Sequence, residues 1–129
     1  MATIFSKIIS GEIPCYKIAE NDQFLAFLDI LPVAKGHCLV VPKKEVDYYF
    51  DLDDQMISDI HLFAKQVAKK IKKVVPCIKV GVAVVGLEVP HAHIHLIPMN
   101  TIGDINFQKE RIKMTPDEFA HLAEEIKNA

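Results

Sequence analysis

Three histidines alternate with small or branched residues in the run His91-Ala92-His93-Ile94-His95-Leu96-Ile97-Pro98. Imidazole is the side chain whose ordinary pKa lies nearest neutrality, so it can attack, donate a proton or bind a metal there. Along a β-strand, successive side chains point to opposite faces. His91, His93 and His95 then form one row, and Ala92, Ile94 and Leu96 face a core. A helix would fan the three rings around its axis and leave them no common site. The alternation therefore predicts a strand, and the strand makes the rings one constellation.

Three chemistries suit such a row. Structural histidines suit it least, because packing gives no reason to choose a titratable ring at every second position. A metal centre is the second: His-x-His on a strand is a natural two-ligand unit for zinc, with His37, Glu88 or Asp29 able to complete it. The third is nucleophilic catalysis at phosphorus. A neutral imidazole attacks through one nitrogen if the other carries the proton, which needs an acceptor behind the ring. Neighbouring rings can then stabilise anionic oxygens and protonate a leaving group.

The elements that must carry these residues are legible in order. Ile4, Phe5, Ile8 and Ile9 have helix-like spacing over Ala2 to Ser10, closed by Gly11 before Pro14. Tyr16 to Glu20 and Phe24 to Leu28 flank Asn21-Asp22-Gln23, the pattern of a β-hairpin. Asp29 to Gly36 is a Pro- and Gly-punctuated loop, and His37 to Val41 reads as a third strand stopped by Pro42. From Phe50 to Val75, Met56, Ile57, Ile60, Phe63, Ala64, Val67, Ile71 and Val74 form the apolar stripe of the longest helix. Asp51, Asp53 and Asp54 at its start and Lys69, Lys70, Lys72 and Lys73 at its end complement the helix dipole. The lysines read as a solvated helix end, with a phosphate-binding patch as the other use. Lys79 to Val85 is a β-branched run that reads as a buried strand, and Gly86 to Pro90 links it to the histidines. The segment from Met99 to Lys113 is polar and irregular. Thr115-Pro116-Asp117-Glu118 is a capping box with proline at the first helical position, and Phe119, Leu122, Ala123 and Ile126 supply the buried face of that last helix. Strands joined by short turns with two principal helices make an antiparallel α+β sandwich.

At 129 residues, half of them apolar and a quarter charged, the chain is expected to form one domain with a core that needs no staples. A net charge of −2 and a pI near 6.3 argue against nucleic acid or an anionic membrane as partner. Cys15, Cys38 and Cys77 include no Cys-x-x-Cys pair, so they read as reduced thiols rather than a disulfide framework or zinc ribbon. No apolar run approaches a membrane span and no signal peptide is evident. The expectation is a cytoplasmic protein.

The run from His91 to Ile97 resembles the His-φ-His-φ-His-φ-φ signature of the histidine triad (HIT) nucleotide hydrolases and transferases. Thr3 to Pro14 is similar to that family's N-terminal segment. Ala26-Phe27-Leu28-Asp29-Ile30-Leu31-Pro32 and Gly36 to Lys44 are similar to its central block. The resemblance spans most of residues 3 to 98, and no motif covers the chain after Met99. It implies a HIT-like α+β fold with an antiparallel sheet of about five strands, a long central helix and a C-terminal helix. It also implies a homodimer whose two sheets run together. The implied activity is cleavage of a nucleoside monophosphate, with a purine base, from its leaving group at the α-phosphorus, with no cofactor and no metal. The nearest pattern is the adenosine phosphoramidase branch. By the same resemblance His93 is the nucleophile, His95 contacts phosphate or the leaving-group bridge, His91 orients the site and His37 supports the triad from behind. Asp29 would bind the ribose hydroxyls, and Phe5, Ile8, Phe27 and Ile30 would form the apolar slot for the base. Two departures stand out. The family commonly has a longer Asn- and Gly-containing loop ending in a polar pair before the triad, whereas Val84-Val85-Gly86-Leu87-Glu88 puts Leu87 there. The N-terminal Cys-x-x-Cys through which some relatives bind structural zinc is absent, with Ser6 in that region. Leu87 is the feature that leaves open a nucleotide-binding regulatory module with weak chemistry.

Overall fold

The structure, a computed structural model, describes residues 2–129. Helix α1 spans Ile4–Ser10, strands β1 Lys17–Glu20, β2 Phe24–Leu28 and β3 Cys38–Pro42 follow, and α2 covers Asp54–Val74. Strands β4 Lys79–Ala83 and β5 Ile94–Met99 complete the sheet, and α3 spans Pro116–Lys127. The five strands lie in the order β1-β2-β3-β5-β4, every neighbouring pair antiparallel. This is the antiparallel five-stranded α+β architecture anticipated above.

Local chemistry explains most boundaries. The Asn21 side-chain oxygen accepts from the backbone N–H groups of Gln23 and Phe24, at 2.9 and 2.8 Å, and so closes the β1–β2 hairpin. Asp53 caps α2 by accepting from the Met56 N–H at 2.8 Å. Thr115 and Glu118 form the expected reciprocal box at the start of α3. Gly36 precedes β3 with φ +92°, and a Cβ there would lie 2.9 Å from a Val75 methyl. Only glycine fits this turn, which delivers His37 to the sheet.

The pleat divides the interior in two. Phe24, Ala26 and Leu28 of β2, Cys38 and Val40 of β3, and Ala92, Ile94 and Leu96 pack under α2 and α3. The alternate residues Leu25, Phe27, Leu39 and Val41 face the other way and pack with Phe5 of α1. His95 pairs with Leu39 across the sheet, so it belongs to this second face.

Four expectations need correction. The histidine strand begins only at Ile94, because Pro42, which ends β3, has no N–H to offer and its carbonyl accepts from the His91 ring. His91 to His93 are instead tied by the backbone bonds His91 N–H to Val89 O and Ala92 N–H to Val46 O. Strand β4 is not buried: it is an outer strand of the sheet, with Val82 exposed and Val84 and Val85 exposed just beyond it. A β-branched run marks a strand but does not say whether a helix covers it. The long helix starts at Asp54, since Tyr49–Asp51 form a separate 3-10 turn. His37 stands one residue ahead of β3, not within it. Among the described residues no helix is long and apolar enough to cross a membrane.

Candidate active site

All three triad histidines are buried, as is His37. Each ring meets a partner that assigns its proton. The Val33 N–H donates to Nδ1 of His37 at 3.1 Å, so the proton of neutral His37 sits on Nε2. That Nε2–H donates to Nδ1 of His95 at 2.9 Å, which leaves the His95 proton on Nε2. Nε2–H of His91 donates to the Pro42 carbonyl at 2.8 Å, and its Nδ1 accepts from the Thr3 hydroxyl at 3.0 Å. Thr3 also caps α1, its hydroxyl accepting from the Ser6 N–H at 3.0 Å. The carbonyl of His91 in turn accepts from Nδ1–H of His93 at 2.7 Å. His93 is thereby left with an unprotonated Nε2, the form an attacking imidazole requires.

The electrostatics favour the neutral form of His37, His93 and His95. Burial, then the neighbouring His95, Arg111 and His93, pull the pKa of His37 down to about 3. Burial, then His93 and Arg111, do the same to His95, also to about 3. Burial lowers His93 too, against the opposing bond to the His91 carbonyl. Asp29 is shifted upward by burial, opposed by the Leu31 N–H and by Arg111.

The other expected residues fall unevenly. The ring of Phe5 stands edge-on to Phe27 at 5.7 Å, to His91 at 5.8 Å and to His93 at 5.0 Å. Ile8 is half-buried against the same cluster. Ile30, however, is 63% exposed on the loop after β2. Asp29 uses Oδ1 to accept from the Leu31 N–H at 2.8 Å, and its Oδ2 lies 3.6 Å from Nε2 of His37. His93 also lines a cleft of about 480 Å³ bounded by Tyr48, Phe50, Val85 and Leu87. Leu87 itself is 89% exposed.

Asp29, His37 and His95 bring ligand atoms within 4.8 Å of one another. Two imidazoles on a tetrahedral zinc hold their nitrogens roughly 3.3 Å apart, given bonds of about 2.0–2.1 Å. The 2.9 Å between His37 and His95 is the spacing of a shared proton.

Reasoning from sequence missed Phe107 and Arg111. The Phe107 ring lies 4.7 Å from His95 and 6.1 Å from His37, and Arg111 is the chain's only arginine. That singularity was the available signal. The segment has no periodicity, so nothing local says what it covers.

An antiparallel five-stranded sheet with a histidine triad at the rim of one face defines the histidine triad class of proteins. Residues 10–102 match the HIT domain family, and the chain belongs to it. It is similar to adenosine 5'-monophosphoramidase hnt1 of Schizosaccharomyces pombe, 37% identical over 128 residues that cover 98% of this chain and 96% of the relative. It is also similar to adenosine 5'-monophosphoramidase HNT1 of Saccharomyces cerevisiae, 40% identical over 98 residues that cover 75% of this chain and 62% of that one. Among solved structures, a HIT-like protein involved in cell-cycle regulation from Bartonella henselae superposes with a TM-score of 0.84 at 29% identity. That superposition covers 98% of this chain and 94% of the other.

Proposed function

We propose that this protein is a nucleotide hydrolase or transferase that releases a nucleoside monophosphate, with adenosine 5'-phosphoramidates as the leading substrate class and dinucleoside polyphosphates as the alternative. One observation carries the reading. His93 donates its Nδ1 proton to the His91 carbonyl at 2.7 Å, so its bare Nε2 is the nucleophile, beside an open cleft. In the first displacement a bond forms between Nε2 and the α-phosphorus while the bond from phosphorus to the leaving group breaks. The leaving group takes the Nε2 proton of His95, and the negative charge this leaves on that ring is matched by the positive charge of nucleotidyl-His93, still protonated on Nδ1 and bonded to phosphorus through Nε2. In the second, water attacks phosphorus, gives a proton back to His95, and the bond to His93 breaks with release of the monophosphate. His91 and His37 hold the two working rings in the required tautomers. The purine is assigned to the side of Phe5, Phe27 and Ile8, which pack together. Asp29 accepts from the ribose hydroxyls through Oδ2. The names of the two yeast relatives support the choice of substrate.

The functional unit in this reading is a homodimer joined along β4. That strand lies on the outside of the sheet and carries exposed Val82, an edge that asks for a partner.

Incubation with adenosine 5'-phosphoramidate should release AMP, and rapid quenching in alkaline denaturant, where a P–N bond survives, should trap protein carrying one nucleotidyl group on His93. Undiminished turnover by His93→Ala would overturn the mechanism. A second reading, a nucleotide-binding regulatory module, draws on Leu87, which offers no amide to phosphate. Tight AMP binding without turnover of any of these substrates would favour it.

A further inference from the structure

Residues 103–129 lie beyond the region matched to the family, yet part of this segment covers the histidines. Phe107 lies with its ring tilted 58° over His95, centroids 4.7 Å apart, and reaches His37 at 6.1 Å. Arg111 holds it there. One guanidinium nitrogen donates to the Leu31 carbonyl at 2.6 Å and another to the carbonyl of Phe107 itself at 2.9 Å. The guanidinium carbon also sits 5.8 Å from the Phe107 ring centroid. The Ile112 N–H donates to the Pro32 carbonyl at 2.8 Å. The strap is thus fastened to the loop whose Asp29 faces His37 and whose Val33 N–H sets the His37 tautomer.

We propose that Phe107 and Arg111 are positioning residues for catalysis, closing the His37–His95 pair from water so that His95 keeps its proton on Nε2, turned toward the leaving group. The inference rests on the reading of His95 as proton donor. Phe107 supplies an apolar wall, which favours the neutral pair. Arg111 supplies a fixed cation, which opposes a second positive charge on either ring. The charged and titratable groups facing the pair are Asp29 from the loop after β2, His93 ahead of β5 and Arg111 from the strap. Glu88 acts on Asp29 and His93 from the loop before the triad. Without the strap, Asp29 is free to draw a proton onto His37. His95 Nδ1 then faces an imidazolium whose charge is no longer opposed.

Ring ¹⁵N chemical shifts of histidine-labelled protein, recorded against pH without substrate, read the His95 tautomer directly. In wild type His95 should report a single Nε2–H form across pH 5 to 8. In Phe107→Ala and Arg111→Gln it should report a tautomer mixture that titrates at least about one pH unit higher than in wild type. With adenosine 5'-phosphoramidate, the same variants should lose about tenfold in kcat, with KM little changed and the acid limb moved upward. Phe107→Leu, which keeps the apolar wall, should restore both readouts and serves where Phe107→Ala fails to fold. Unchanged His95 shifts in Arg111→Gln would overturn the proposal. Absence of turnover in wild type would instead overturn the enzymatic reading, and the tautomer measurement would still decide what the strap does.

Discussion

Nδ1 of His93 lies 2.7 Å from the carbonyl oxygen of His91, two residues earlier in the same run. A carbonyl accepts and never donates, so this contact alone decides which nitrogen of His93 is free. His91 thereby matters through its backbone, while its fully buried ring is engaged by Pro42 and Thr3.

Replacement of the nucleophile should be severe. His93→Ala is expected to lower AMP release from adenosine 5'-phosphoramidate by at least ~100-fold, with nucleotide binding largely kept. Steady-state turnover and equilibrium binding of AMP, measured on the same preparation, separate the two effects.

The depressed histidines set the response to acid. Because burial holds His93 below its ordinary range, its free base persists at neutrality and the rate should stay level from pH 8 to about pH 6.5. Stability follows the same groups. Below pH ~6.5 the unfolded chain protonates His37 and His95, whereas the folded chain resists until about 3. Their contribution is present above pH ~6.5 and is lost as pH falls toward about 3. Urea midpoints at pH 7, 5.5 and 4 should decline steadily, and a flat series would contradict neutral burial of the pair.

Leu87 offers a gain rather than a loss. It is 89% exposed, so Leu87→Asn should change stability by less than about 0.5 kcal/mol. An amide there can donate to a phosphate oxygen, and kcat/KM should rise by up to about tenfold, the worth of one ordinary hydrogen bond. No change in kcat/KM would mean that the loop does not reach the substrate.

The outer edge at β4 can be tested without touching the site. Val82→Lys places a charge on the exposed strand and should convert a dimer to a monomer, read by light scattering on a sizing column. If the wild type is already monomeric, the joined-sheet assembly is wrong.

Gly36→Ala should cost more than the surface changes. The left-handed backbone alone costs about 1–2 kcal/mol for a residue with a Cβ, and here that Cβ would also press on Val75 and Pro98. A lower melting temperature with reduced kcat is expected, because the same turn presents His37. An unchanged melting temperature would mean that the turn relaxes freely.

The types and order of the chemical groups were written in the chain. Alternation from His91 to Leu96 placed Ala92, Ile94 and Leu96 in the core, and the capping chemistry of Thr115 and Glu118 marked the start of α3 to the residue. Both are local effects, set by the two-residue period of extended backbone and by groups three residues apart. The protonation of the site is not local. His91 is oriented by Pro42 and Thr3, 49 and 88 residues away, and His95 by His37, 58 residues away. Whether β4 would be covered, and that a polar stretch would fold Phe107 over the histidines, depended likewise on which surfaces the sheet left open. Residue identity therefore determined which rings could react. Only the tertiary structure decided where each proton sits, because backbone carbonyls and N–H groups are present at every position and sequence does not say which of them a ring will meet.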